Sequence, residues 1–186
     1  MTLQDGLHLI INFIKMNIIS KFAVGSDEVI DQLFSLRVHQ LKLMYEDQLE
    51  VQALENYLQE ELDHRTTINE LNDLSTQLIM TFIDNKAVGY IILKNSYYQP
   101  ESLADKKAIQ IKSFFILSEY DTIETRQSLW QKCFSVTRSY SHWIELPHKD
   151  PSLSFLEECE FKIVEQSTMK PFDFPSHIMV RLNKQQ

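Results

Sequence analysis

The apolar residues of this chain alternate with polar ones in several short runs, and this spacing predicts β-strands. One run, Ala108–Leu117, is apolar almost without a break after Lys112, which is typical of a strand buried in the middle of a sheet. Two others are joined by Asp84–Lys86, residues that favour a tight hairpin turn. In all, the pattern predicts seven strands, near residues 18–24, 78–83, 87–94, 108–117, 142–148, 161–166 and 177–183.

Helical spacing of apolar residues marks the segments between these strands. From Glu28 onward apolar residues recur every three or four positions, and second and third helices are predicted over Gln48–Leu62 and about Thr122–Tyr140. A short helix follows, with Asp150 as its cap and Pro151 in its first turn. The order of elements predicts an α/β (α+β) fold, in which helices flank one mixed sheet.

The length of 186 residues fits a single domain, which we expect to span residues 1–186. The apolar run inside residues 1–17 lacks a basic start and a small-residue cleavage site, and it is too short and too interrupted to cross a bilayer. We interpret it as an N-terminal extension or helix that packs on the domain.

The formal net charge of −8 argues against non-specific binding to nucleic acid or to an anionic membrane, because both depend on basic patches. The same charge favours a cationic partner such as an amine, although it also serves solubility. Two cysteines, Cys133 and Cys159, form neither a disulfide framework nor a zinc site by themselves. Packed, reduced thiols and a cytoplasmic location are therefore expected, and no metal site is predicted.

Three local patterns, together with the order of elements, carry a resemblance to a known family. In the predicted hairpin, Gly89 is followed by the apolar residues Tyr90–Leu93. A glycine inside a strand marks a bulge, a close backbone approach or simply a weak position. From about Ile18 to Leu182 the chain resembles the GNAT superfamily of acyl-CoA-dependent N-acetyltransferases. The resemblance implies a mostly antiparallel central sheet, with acetyl-CoA as co-substrate.

The second pattern is the joint between the central strand and the long helix. Leu117–Tyr120 resembles the family's lead-in, but Asp121–Arg126 stands where the family has Arg/Gln-x-x-Gly-x-Gly/Ala. Glu124 and Arg126 hold the two glycine positions, and Asp121 holds the leading one. The resemblance implies that eight residues bind the coenzyme: Phe115, Ile116, Leu117, Thr122, Ile123, Glu124, Thr125 and Arg126.

These departures change the chemistry of the turn. The family binds the coenzyme's diphosphate with backbone N–H groups at a helix N-terminus, where glycine permits close approach. Glu124 adds both a Cβ atom and a negative charge, which costs on the order of 1 kcal/mol at about 4 Å in water and more at lower dielectric. Thr122 and Thr125 still offer hydroxyl groups, and Arg126 offers a cation if it points inward.

The third pattern is the segment before the sixth strand. The family shows Asn-x-x-Ala-x-x-hydrophobic-Tyr-Glu-Lys-x-Gly-Phe there, with the tyrosine as candidate general acid. In this chain Glu157 and Phe161 match, whereas four positions depart: Lys149, Ser152, Leu156 and Glu160 replace the asparagine, alanine, tyrosine and glycine. Since leucine has no proton to give, another group or solvent has to protonate the leaving thiolate.

The candidate catalytic residues lie near the ends of the central strands. Glu119 and Glu145 are the carboxylates placed to act as a general base, or they are solvated or salt-bridged side chains. Tyr120 and Tyr140 are the nearby hydroxyls; Tyr120 is a candidate for the missing acid, or it packs in the core. Backbone N–H groups around Phe115–Leu117 are expected to polarise the thioester carbonyl.

Two functions follow from these observations. The first is an acetyl-CoA-dependent N-acetyltransferase, in which a primary amine of a small molecule or peptide attacks the thioester directly. The second is a catalytically inactive binding or regulatory protein of the same fold that has lost coenzyme A binding. Neither requires nucleic acid or a membrane, and a homodimer is compatible with both.

Overall fold

The computed structural model describes residues 17–184, which form one seven-stranded sheet with helices on both faces. The strands follow the order β1-β2-β3-β4-β5-β7-β6 across the sheet. Their bounds are Ile18–Ala23 (β1), Thr76–Ile83 (β2), Lys86–Lys94 (β3), Ala108–Ile116 (β4), Ser141–Pro147 (β5), Lys162–Met169 (β6) and Phe174–Arg181 (β7). All seven predicted strands are present. The predicted N-terminal extension falls almost entirely on residues 1–16, outside the described part.

Every neighbouring pair of strands is antiparallel except β4 and β5, so the predicted mixed, mostly antiparallel sheet is confirmed. Five helices flank it: α1 (Asp27–Tyr45), α2 (Val51–Glu61), α3 (His64–Asn72), α4 (Ile123–Val136) and α5 (Leu153–Glu158). None of the described helices is long and apolar enough to cross a membrane.

Helix α3 was not predicted from the sequence, and α4 is shorter than predicted. A new helix begins after Asp63 because its carboxylate accepts a hydrogen bond from the N–H of Thr66 at 2.7 Å, which caps the next helix. The long helix ends at Val136 instead of Tyr140. There the Thr137 hydroxyl donates to the carbonyl of Cys133 at 2.7 Å, and the chain turns into β5.

Alternate side chains of the central strands fill two separate cores. Phe114 and Ile116 of β4 pack with α4 and α5 on one face, whereas Phe115 and Leu117 pack with α1 on the other. All four side chains are buried. The near-continuous apolar run that predicted a central strand is therefore explained by burial on both faces.

The hairpin β2–β3 contains a tight turn and a bulge. Asp84 and Asn85 both have positive φ angles, of 48° and 69°, as a two-residue type I′ turn requires. Further along, Thr81 pairs with Gly89 but Phe82 pairs with Ala87, so β3 carries one extra residue. A Cβ atom on Gly89 would lie 2.7 Å from the carbonyl oxygen of Phe115 in β4. Gly89 is thus both beside a bulge and at a close backbone approach.

A second bulge decides where β4 and β5 part. Ile92 of β3 pairs with Ser113 and Leu93 with Ile111, so Lys112 is an extra residue in β4. The parallel pairing between β4 and β5 runs from Ala108–Ser141 to Ile111–Ile144 and ends there. Because a bulge bends its strand, β4 turns away from β5 directly after the last pair.

His142 of β5 is a neutral histidine enclosed in an aromatic core. Its Nε2 atom lies 2.7 Å from the hydroxyl oxygen of Thr137, whose own proton is donated to Cys133. His142 Nε2 is therefore the donor in this pair, and its Nδ1 atom is buried without a partner among the described residues. Burial lowers the pKa of His142 from 6.5 to about 4, and nearby Arg181 acts in the same direction.

Both cysteines are free thiols, as expected. Cys133 is buried and Cys159 is half-buried. Burial raises the pKa of Cys133 to about 12 and that of Cys159 to about 11, so neither is an activated nucleophile at neutral pH.

We expect Gly89→Ala to lower the free energy of unfolding by about 2 kcal/mol, the usual cost of forcing an extra methyl group into a packed site. The new Cβ would also lie 2.9 Å from Ile116 Cγ1, so the strands have to separate. Gly25→Ala is the matched control, because its Cβ meets nothing closer than 3.6 Å. Urea unfolding measures the free energy of unfolding of each variant. Equal values for the two variants would contradict the close approach of β3 and β4 at Gly89.

Stability is expected to fall as the pH drops from 6.5 towards 4. In this window the unfolded chain protonates His142 while the folded protein keeps it neutral, which amounts to about 3 kcal/mol over the whole range. His142→Gln should make the pH dependence of the free energy of unfolding shallower. His39→Gln, at an exposed position on α1, should leave the pH dependence of the free energy of unfolding as it is in the parent protein. An unchanged slope in His142→Gln would refute the buried neutral state.

Candidate functional site

The separation of β4 from β5 opens a cleft of about 900 Å³. This volume lies within the range of small-molecule sites. The C-terminal half of β4, the turn after β4, the loop after β5, the end of α1 and the start of β7 line it, so five separate parts of the fold meet there. Its lining includes Leu43, Met44, Phe114, Phe115, Ile116, Ser118, Asp121, Pro147, Lys149, Asp150 and Phe174.

The wall formed by β4 presents unpaired backbone groups to the cleft. Leu117 donates its N–H to the carbonyl of Val88 at 2.8 Å, so its N–H points to β3. Since N–H groups alternate in direction along a strand, the N–H of Ile116 points to the opposite edge, towards β5. Within residues 17–184, no strand pairs with β4 on that side beyond Ile111. The edge therefore offers a directed hydrogen-bond donor inside an apolar cleft.

An aromatic cluster holds the far wall of the cleft in place. Tyr45 of α1 contacts Phe172 and Phe174, and Tyr57 of α2 contacts Tyr45 and Phe172, at ring-centroid distances of 5.0 to 5.6 Å. Burial raises the pKa of the Tyr57 hydroxyl, and the neighbouring Glu61 carboxylate raises it further. The cluster joins both helices to the turn between β6 and β7 and so fixes Met44 and Phe174 at the edge of the cleft.

The turn between β4 and α4 contains a bidentate ion pair. Arg126 donates from Nε and from one terminal nitrogen to the two carboxylate oxygens of Asp121, at 2.5 and 2.6 Å. Asp121 raises the pKa of the guanidinium above its ordinary value. Asp121 lines the cleft, whereas Arg126 lies behind it, with its guanidinium carbon 5.8 Å from the ring centre of Phe155.

The other residues of the predicted coenzyme turn mostly cap their own helix. The Thr122 hydroxyl accepts a hydrogen bond from the N–H of Thr125 at 3.3 Å, and the two hydroxyls lie 3.2 Å apart. Thr125 is fully buried, and Ile123 and Glu124 are exposed on the first helical turn. The backbone N–H groups of Ile123 and Glu124 precede the first helical hydrogen bond, so they lack an acceptor within α4.

Glu119 and Tyr120 are both brought to Lys86, at the start of β3. The Lys86 ammonium lies 3.5 Å from the Glu119 carboxylate and donates to the Tyr120 hydroxyl at 3.1 Å. Glu119 also lines a side depression of about 240 Å³, which shares Leu43, Phe115 and Ser118 with the cleft. Tyr120 lines neither space, and its ring packs against both cores.

The structure does not bring Tyr140 and Glu145 to the same place as Glu119. Tyr140 precedes β5, and since β4 and β5 are parallel, it lies at the opposite end of the sheet from the cleft. There its ring is 4.2 Å from the Lys107 ammonium. Glu145 accepts a hydrogen bond from the Ser176 hydroxyl at 2.6 Å. Neither residue lines the cleft.

The segment that resembles the family's C-terminal pattern has a left-handed residue at the glycine position and no hydroxyl at the tyrosine position. Glu160, at the glycine position, has a φ angle of 71°, a left-handed conformation that glycine adopts more readily. Arg181 and Lys184 pair with its carboxylate and hold its pKa below the ordinary value. Leu156, at the tyrosine position, is fully buried and places no hydroxyl in the cleft.

Asp150, which the sequence predicts as a helix cap, lines the cleft. Its carboxylate accepts a hydrogen bond from the N–H of Ser152 at 2.8 Å, in a turn that precedes α5. Burial raises the pKa of Asp150 above its usual range. The prediction that Asp150 caps the short helix is wrong: α5 begins at Leu153 and its N-cap is Ser152, and only the path of β5 places Asp150 against the cleft. Within residues 17–184, no cluster of histidine, cysteine and acidic side chains could hold a metal ion.

Comparison with known proteins identifies the architecture. No protein-family model and no curated protein matches this sequence. Among solved structures, the paia N-acetyltransferase of Thermoplasma acidophilum in complex with coenzyme A superposes with a TM-score of 0.68 at 15% identity, over 87% of this chain and 98% of that one.

Two further structures agree with it. An acetyltransferase of Streptococcus agalactiae has a TM-score of 0.62 at 19% identity, over 89% of this chain and 98% of its own. A spermidine N-acetyltransferase chimera from Vibrio cholerae and hSSAT has a TM-score of 0.62 at 13% identity, over 89% of this chain and 96% of its own. Identities this low establish the fold and leave the activity open. The protein described by residues 17–184 therefore has the fold of the GNAT superfamily of N-acetyltransferases.

Proposed function

We propose that this protein is an N-acetyltransferase that moves an acetyl group from acetyl-CoA to a primary amine. The observation that carries the proposal is the open edge of β4, where a strand buried on both faces leaves its N–H groups facing a cleft of about 900 Å³. An unpaired buried N–H group is costly, so such an edge needs a partner. An extended amide-containing arm, such as the pantetheine of coenzyme A, is a ligand of the right shape.

In this proposal the thioester carbonyl lies against the N–H of Ile116. A donor fixed in the strand is already oriented before the reaction, so it stabilises the negative charge that develops on the carbonyl oxygen in the transition state. The flanking apolar side chains of Phe114 and Phe115 exclude water from the arm. These features belong to the backbone and the core, so they survive changes in the exposed side chains.

The acceptor amine approaches from the side depression. This depression meets the cleft at Leu43, Phe115 and Ser118, so an amine there faces the thioester from the side opposite the arm. The amine nitrogen attacks the carbonyl carbon, the carbon–sulfur bond breaks, and the amine loses one proton. The carboxylate of Glu119 lines this depression and is well placed to take that proton.

The leaving thiolate takes its proton from water. Leu156 occupies the position at which the resembled family has a tyrosine, and it carries no acidic proton. Tyr120 is turned to Lys86 and lines neither space. We assign the proton to solvent that enters the mouth of the cleft, because a thiolate is basic enough at neutral pH to accept a proton from it.

The residues fit the pantetheine arm better than they fit the diphosphate of coenzyme A. The open edge, the apolar walls and the volume suit the arm. At the N-terminus of α4, however, Asp121 faces the cleft and Glu124 stands on the first turn. Two carboxylates at this end of the helix repel the negatively charged diphosphate. A donor would therefore be held mainly through its arm.

The second candidate function is a catalytically inactive binding protein of the same fold. The observation that favours it is the pairing of Arg126 with Asp121, which leaves the turn without a free cation for the diphosphate. The two candidates differ in one measurable property: the transferase consumes acetyl-CoA when an amine is supplied, and the binding protein does not.

Filling the junction between the cleft and the depression should abolish binding. Ser118 is exposed and lines both spaces, so Ser118→Trp is expected to reduce pantetheine and coenzyme A binding at least tenfold in calorimetry. Ser102→Trp, at an exposed position in the loop before β4, is the matched control and should bind as the parent does. Equal binding by both variants would place the ligand outside this cleft.

Removing the base should slow transfer without weakening donor binding. Glu119→Gln is expected to lower the rate of thiol release from acetyl-CoA, in the presence of a polyamine such as spermidine, on the order of 100-fold. The loss should shrink at high pH, where hydroxide ion can take the proton in place of Glu119. Glu101→Gln, an exposed change at the other end of β4, is the control. A parent protein that binds acetyl-CoA but releases no thiol with any amine would establish the inactive alternative.

A further inference from the structure

We propose that Asp121 sets the affinity of the cleft for the donor's diphosphate, because it occupies the guanidinium of Arg126 that the diphosphate would otherwise bind. This inference rests on the proposed function, since it concerns the donor end of the same cleft. It assigns Asp121 as an internal competitor and Arg126 as a masked phosphate-binding cation. Neither role follows from the glycine-based turn of the resembled family, in which backbone N–H groups do this work.

The geometry of the pair is that of an anion already bound. A guanidinium presents two parallel N–H groups that match the two oxygens of a carboxylate or of a phosphate. In this protein both contacts go to Asp121, at 2.5 and 2.6 Å. The two side chains are largely withdrawn from solvent, with exposed fractions of 19% for Asp121 and 18% for Arg126. A phosphate therefore has to displace the carboxylate before it reaches the cation.

The surroundings favour the carboxylate over an incoming phosphate. Asp150 also lines the cleft, and both Asp150 and Glu158 lie near enough to Arg126 to raise its pKa further. Glu124 adds an exposed carboxylate on the same helical turn. Lys149 is the one cationic side chain among those that line the cleft, and it is exposed. Apart from Lys149 and the occupied Arg126, the charged side chains around this turn are thus negative.

The pair can open without unfolding the helix behind it. Arg126 lies in the first turns of α4, and its N–H bonds to the carbonyl of Thr122 at 3.0 Å. Asp121 lies outside the helix, before the capping residue Thr122. Its side chain can therefore leave the guanidinium while the cap and the helix stay in place. Removing the Asp121 charge should expose a preformed cation beside the free N–H groups of Ile123 and Glu124.

Calorimetry on the full chain tests this with two probes, coenzyme A and pantetheine, which lacks the phosphates. Asp121→Asn should bind coenzyme A roughly tenfold more tightly than the parent, or better, because one carboxylate at close range is removed. Its affinity for pantetheine should not change. Asp105→Asn, which removes an exposed charge from the loop before β4, should leave both affinities unchanged. This control separates the local pair from the overall charge.

A second variant identifies the cation. In Asp121→Asn/Arg126→Gln the gain in coenzyme A affinity should disappear, while pantetheine still binds. The gain in Asp121→Asn should also weaken with added salt, as expected for a newly exposed charge pair. Thermal unfolding checks that each variant is folded. Asp121→Ser provides a second uncharged replacement if the asparagine variant does not fold.

Each outcome decides the question. If the uncharged variants bind coenzyme A no more tightly than the parent, or if the double variant keeps the gain, the inference is wrong. If neither the parent nor any variant binds coenzyme A at millimolar concentration, it is also wrong. The proposed function fails separately, when pantetheine does not bind or when bound acetyl-CoA is never consumed.

Discussion

The rest of the molecule depends on the short length of the parallel pairing between β4 and β5. Their hydrogen bonds end at Ile111 and Ile144, and the bulge at Lys112 bends β4 away. β4 stays with β3 instead, because Gly89 lets the two backbones come close. A strand that loses one neighbour in the middle of a sheet leaves backbone groups facing inward. Those groups need a hydrogen-bond partner, and this need is the physical basis of the proposed coenzyme site.

Backbone shape and side-chain chemistry depend on different contacts in this protein. Glu160 has a positive φ angle of 71°, and ion pairs with Arg181 and Lys184 hold its side chain. Backbone shape can persist because the surrounding packing determines it. At the turn before α4, by contrast, Asp121 and Arg126 satisfy each other's charges. One substitution there changes what the turn can bind while the helix begins at the same place.

Several sequence predictions are confirmed because they rest on local chemistry, and others fail because they do not. Asp84 and Asn85 tolerate positive φ angles, so the hairpin was predictable from two residues. Helix α3 was missed because it is only nine residues long and mostly polar, and it begins directly after α2, at its cap Asp63. Tyr120 and Tyr140 both stand near strand ends in the sequence. The parallel direction of β4 and β5 places them at opposite ends of the sheet, which a single sequence does not reveal.

The sequence by itself determined that this protein has a buried central strand, a β2–β3 hairpin and an acidic surface. These properties follow from the order and type of neighbouring residues, which fix burial and turn geometry within a few positions. Only the tertiary structure decided that β4 parts from β5, that Asp150 faces the resulting cleft, and that Asp121 holds Arg126 with both carboxylate oxygens. The physical reason is that hydrogen bonds and ion pairs depend on distances and angles between groups. Sequence periodicity specifies which face of a helix or strand a residue lies on, but it does not specify which group on another element that residue contacts.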